Sequence, residues 1–104
     1  MRVNVSEPSF SSSPVPTVAH SSPEVPAGHG NYQLTVTGTN FVPGAVVQWN
    51  GAIRTTIFQN NTTLIADIPA SDVAVAGTAV ITVINPPFTG QASNQHTYKI
   101  LPAQ

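Results

Sequence analysis

The 104-residue chain has no cysteine, so a disulfide framework, a thiolate nucleophile and a cysteine metal site are all excluded, and stability must come from a buried core. Charge is almost as scarce. Three basic residues (Arg2, Arg54, Lys99) stand against four acidic ones (Glu7, Glu24, Asp67, Asp72), a net charge of −1. No run of cations exists to neutralise successive phosphates, which argues against nucleic acid as a partner. Four carboxylates and three histidines, scattered along the chain, also offer little to general acid–base catalysis, which gathers tunable groups in one cleft. The expectation is a non-enzyme with no cofactor and no metal.

Long apolar runs are missing as well. The least polar stretch, Val73 to Ile84, covers twelve residues, short of the roughly 18 that a membrane-spanning helix needs. Membrane insertion is therefore not expected. The first thirteen residues hold one Arg and no apolar stretch of the length that a secretory signal requires. What the chain does have is 9 Ser, 12 Thr and 8 Asn, a surface made polar by hydroxyls and amides. Such surfaces are common in modules of exported bacterial proteins, so the expectation is a piece of a larger secreted or cell-surface protein that lacks its own signal peptide here.

Seven of the nine serines and five of the ten prolines fall within residues 1–30. Residues 1–13 read as a disordered linker or tail, 14–101 as the folded domain and 102–104 as a second tail. Thr17 to His20 forms a short extended stretch, which Pro16 keeps from being helical and suits to a sheet edge. Ala27-Gly28-His29-Gly30 is a turn. From Tyr32 to Thr39 the period is two, Tyr32, Leu34 and Val36 alternating with Gln33, Thr35 and Thr37, so one strand face is buried and one wet. Gly38 marks a bulge or a close backbone approach, and Pro43-Gly44 has the residues of a type II turn. Val46 to Trp49 leads into Asn50-Gly51, the strongest short hairpin signal. Further strands are expected at Thr55–Phe58, Thr62–Ile68, Thr78–Ile84 and His96–Ile100.

About seven short strands, with turn residues every eight to twelve positions and no amphipathic helix, predict an all-β, two-sheet sandwich of Greek-key type. One short helical turn is expected near residues 70–74, with Ser71 as its cap and Asp72 stabilising its N-terminus, crossing between sheets. Trp49, Leu34, Val36, Phe41, Leu64, Ile68, Ile81, Val83 and Tyr98 are the expected core.

Three segments make the pattern specific. LTVTGTNFVPGAVVQWNG at 34–51, TLIADIPASDVAVAGTAVITVINP at 63–86 and SNQHTYKI at 93–100 together resemble an IPT/TIG domain. The strongest matches are Gly38, Asn40 and Phe41 of a G-x-N-F segment, the Trp49-Asn50-Gly51 hairpin, and the crossover from Ile68 to Asp72. The resemblance implies an immunoglobulin-like fold over 14–101. The lack of cysteine resembles bacterial members, which often occur as tandem modules in secreted or surface-anchored proteins. It implies a non-catalytic structural or interaction module, a spacer or an adhesion-type protein binder. The alternative is an accessory carbohydrate-binding module of a polysaccharide-acting enzyme. None of the matched motifs is a ligand site, so no site residue is carried over.

Individual residues mostly favour structural roles. Trp49 could stack on a sugar, but it shares a strand face with Val47 where such sandwiches place a core aromatic. His20, His29 and His96 lie on three segments without metal-ligand spacing. Asp67 and Asp72 lack the D-x-D or D-x-N loop of a calcium site. No G-x-S-x-G elbow accompanies the serines. Asn4, Asn60 and Asn61 each begin an N-x-S/T triplet, which carries no meaning in a bacterial protein. The one candidate contact lies in Asn85-Pro86-Pro87-Phe88-Thr89-Gly90, where two prolines restrict the backbone beneath Phe88. Phe88 and Pro87 are the possible partner contacts, the alternative being that Phe88 folds back to plug the open end of the sandwich.

Overall fold

The computed structural model describes residues 14–88 and 91–103. The expected tail at 1–13 lies outside them. Nine strands run in order: β1 (Thr17–Ser21), β2 (Val25–Pro26), β3 (Tyr32–Thr39), β4 (Val46–Trp49), β5 (Ala52–Arg54), β6 (Thr56–Asn60), β7 (Thr63–Ile68), β8 (Gly77–Ile84) and β9 (His96–Leu101). A 3-10 turn, Ala70–Val73, separates β7 from β8. The strands form two sheets, β1-β3-β7-β6 and β2-β9-β8-β4-β5.

The period-two pattern decides which side chains meet between the sheets. Leu34 and Val36 of β3 stand opposite Ala66 and Leu64 of β7, and all four are fully buried. On the facing sheet Val47 and Trp49 of β4 pair with Val83 and Ile81 of β8, and Ala79 pairs with Tyr98 of β9. Every expected core residue is buried, with Trp49 4% exposed. Its ring lies 5.7 Å from that of Tyr98, tilted by 54°, an arrangement that adds directional ring contact to the area buried.

Turn chemistry sets the connections. Ala45 donates its N–H to Val42 O at 2.9 Å, and Gly44 sits at φ 91°, the positive φ that the third position of a type II turn requires. Asn50 and Gly51, at φ 52° and 88°, join β4 to β5, as a primed hairpin turn demands. At Gly38 the reason for glycine is contact. A Cβ there would overlap the carbonyl oxygen of Thr17 and come within 2.9 Å of the Phe41 ring. The register shift of the β1–β3 pair falls on the β1 side, between Val18 and His20.

The structure corrects three details. The expected strand Thr55–Phe58 is observed as β6, but a separate short strand that was not expected, β5, precedes it, because the chain changes sheets at Thr55. β5 pairs with β4 in one sheet, β6 with β7 in the other, and Thr56 Oγ1 spans the step by donating to Arg54 O and accepting from Val47 N. β2 was not anticipated: two residues carry no visible alternation, and their parallel pairing with Ile100 and Leu101 is remote in sequence. Finally, Ser71 does not cap the 3-10 turn. The cap position is Pro69, which has no side-chain bond, while Asp72 turns away to Arg54 with contacts of 2.6 and 2.9 Å.

Candidate interaction surface

β8 ends at Ile84, and the next residue organises one end of the sandwich. Asn85 is 5% exposed, and its side-chain Nδ2 donates to Pro14 O at 2.9 Å and to Asn40 O at 2.8 Å. Its Oδ1 is buried and accepts nothing among the described residues. Asn40, at φ 65°, in turn donates from Nδ2 to Val15 O. One amide thus fixes the incoming chain, the end of β3 and the start of the loop after β8. Satisfying two backbone carbonyls that no strand ladder reaches is what a buried asparagine is suited to do.

The loop itself folds as a turn. Phe88 donates its N–H to Asn85 O at 3.0 Å and has φ 69°. Pro86 lies over Gly44, within 3.2 Å of where a Cβ would be. Pro87 is exposed, and Phe88 is 45% exposed and outside the core cluster. At the same end, where Pro14 is bonded to Asn85, Val15 is 44% exposed, so that Pro14, Val15, Pro87 and Phe88 form an exposed apolar set without a charged side chain among them. Beyond 89–90 the return limb is also tied, because Ser93 Oγ accepts from Val83 N at 2.8 Å. Asn94 then accepts from Val18 N and donates to Val18 O.

At the opposite end, Ala27 N donates to Leu101 O and Gly28 N to Val73 O, both at 2.8 Å. Ala74, Val75, Ala76 and Gly77 project there as an exposed tip, with Val75 76% exposed. Nothing in the alternating pattern set Val75 apart, since exposure arises where the 3-10 turn unwinds.

Side grooves also lie among the described residues. One of about 560 Å3 is lined by Asn31, Tyr32, Gln33, Ile53, Arg54, Thr55, Asp67, Ile68 and Pro69. In it Asp67 Oδ1 accepts from Gln33 Nε2 at 3.2 Å. Another, about 480 Å3, brings His20 and His96 to the same rim, with His96 Nε2 3.1 Å from Ser21 Oγ. His29 is elsewhere, edge-on to Tyr32 at 5.3 Å. Among the described residues no three His, Cys, Asp or Glu side chains gather as a metal site would require. Asn60, which begins one N-x-T triplet, accepts from both N and Oγ1 of Thr62. Tyr98 and Tyr32 both donate to Pro23 O, at 2.9 and 3.1 Å. Burial pushes the Tyr98 phenol well above its ordinary value, and neighbouring Tyr32 adds to the shift.

No helix among the described residues is long and apolar enough to cross a membrane. The family model for the IPT/TIG domain matches residues 16–100. No curated protein matches the chain. Among solved structures, the solution structure of the TIG domain from human nuclear factor of activated T-cells, cytoplasmic 4, is similar with a TM-score of 0.64. It is 23% identical in sequence, and the match covers 85% of this chain and 89% of that one. At that identity the likeness establishes a shared immunoglobulin-like fold.

Proposed function

The chain belongs to the IPT/TIG domain family, and from that premise we propose that it is a non-catalytic interaction module that meets a protein partner through Phe88 and Pro87. The observation that carries this reading is the clamped turn. A half-exposed aromatic stands on a backbone already held by Asn85 and by the Phe88–Asn85 bond. Such a side chain loses little conformational freedom on binding, and aromatics are the usual anchors of interfaces. The polar, sparsely charged composition supports a place in a larger secreted or cell-surface bacterial protein, as a spacer or adhesion-type unit.

A photo-crosslinking benzoylphenylalanine at position 88, introduced into the protein in its own cells, tests the contact. Capture of a protein through residue 88, together with an unchanged melting temperature for Phe88→Ala, is expected. No captured protein and a fall of several degrees would instead make Phe88 a plug of the sandwich. Protease treatment of intact cells tests the location, since a surface module is cleaved without lysis.

The mixed polar and apolar groove beside Tyr32 favours a second reading, an accessory carbohydrate-binding module. Retention on insoluble polysaccharide, lost on Asp67→Ala or Phe88→Ala, would select it over the first.

A further inference from the structure

We propose that the partner of the Phe88 surface is the opposite end of a second copy of this domain. In this head-to-tail contact, the Ala74–Gly77 tip of one copy seats on Pro14, Val15, Pro87 and Phe88 of the next. The inference rests on the reading of Phe88 as a contact residue and adds the identity of what it touches.

Geometry supplies the first argument. The two apolar patches sit at opposite ends of β8, whose eight residues separate them by about 26 Å at strand rise. The chain enters at Pro14, bonded to Asn85 beside the Phe88 turn. It leaves after Leu101, bonded to Ala27 next to the residue that holds Val73. A copy that precedes this one therefore presents its Val75 end toward Phe88. At least thirteen residues stand ahead of Pro14, and an extended segment of that length spans about 45 Å, which is ample to join two copies without strain on such a contact.

Charge supplies the second. Residues 14–16, 85–88 and 73–77 contain no ionisable side chain, and Asp72, next to the tip, is occupied by Arg54. The two ends can therefore meet without desolvating or opposing charges, the usual obstacle to self-pairing. Because the contact joins two different patches, it does not close on itself and propagates as an open row. The patches are small, so free copies associate weakly and a covalent linker makes the contact persistent.

The absence of cysteine permits a clean test. Val75→Cys and Phe88→Cys proteins are mixed under mild oxidation, with Ile57→Cys, on the side of the sandwich, as the reference. The mixed Val75–Phe88 disulfide is expected to form about tenfold faster than either same-site disulfide, the ratio that about 1.4 kcal/mol of preference gives. A mixed disulfide no faster than those made with Ile57→Cys overturns the proposal. In parallel, unlabelled wild-type protein is titrated into a 15N-labelled copy. Shifts are expected at both ends; with Val75→Asp in the unlabelled partner those at the labelled Phe88 end are lost, while those at the labelled Val75 end remain. If the titration moves neither end while residue 88 still captures a protein of another fold, the head-to-tail contact is wrong and the Phe88 reading stands. If nothing is captured and nothing shifts, both fall.

Discussion

Arg54 meets Asp72 side-on, Nε to Oδ2 at 2.6 Å and Nη2 to Oδ1 at 2.9 Å, and so ties the short edge strand β5 to the 3-10 turn that crosses between the sheets. The side chains keep only 21% and 14% of their exposure, so this two-pronged pair is screened far less than a surface ion pair. Arg54→Ala or Asp72→Ala is expected to cost about 1–3 kcal/mol in urea unfolding, because either leaves a half-buried charge unpaired. A double-mutant cycle should return a coupling that persists at high salt. A coupling near zero would reduce the pair to a bystander.

Trp49 fills the centre of the core against Tyr98. Truncation to alanine is expected to remove about 3–5 kcal/mol, a large share of the stability of a domain this size. Native emission should be that of a buried indole and shift to the red on unfolding; a native spectrum already at the solvent position would refute the assignment.

Gly38→Ala places a methyl group where the Thr17 carbonyl and the Phe41 ring already are. Backbone cannot yield as a flexible side chain does, so the expected cost is about 1–3 kcal/mol, as for overpacking elsewhere. Hydrogen exchange should quicken first in β1, which the methyl group pushes from β3. Uniform exchange with unchanged stability would show that the two strands had room to part.

Tyr98 carries the expected alkaline sensitivity. Its phenol is buried and donates to Pro23 O, so its folded-state pKa is raised above the ordinary tyrosine value near 10. The unfolded chain releases that proton first. Stability is therefore fully present below about pH 10 and declines as pH rises beyond it. Denaturant midpoints measured across this range should fall for the wild type and fall less for Tyr98→Phe.

Much of this architecture was legible in order of chain separation. Alternation over six to eight residues marks β3, β7 and β8 and their buried faces, since the pleat allows no other arrangement for Leu34, Val36, Leu64 and Ile81. Positive-φ requirements likewise announce the turns at Pro43-Gly44 and Asn50-Gly51. What stayed hidden depends on partners distant in sequence. β2 and β5 are too short to show a period, and the step between sheets at Thr55 becomes apparent only once Thr56 is seen bonded to Val47. Asp72 reads locally as a helix-terminus carboxylate because its competitor, Arg54, lies 18 residues away. At the candidate surface the restricted loop that carries Phe88 was legible from its prolines. Asn85, which holds the turn in place, was not singled out, because its two acceptors sit 71 and 45 residues upstream.

The placement of the chain ends gives the domain a mechanical character. Tension applied between Pro14 and Leu101 pulls β1 along its own axis past β3, and β9 along its axis past β8. The rungs of each ladder are therefore loaded together rather than parted one after another. Resistance should drop sharply when the pull is applied from residue 21 instead of residue 14, since β1 then peels from its far end, and single-molecule extension through the two attachment points reads that difference directly. A domain wired in this way resists a pull between its two ends as one cooperative unit.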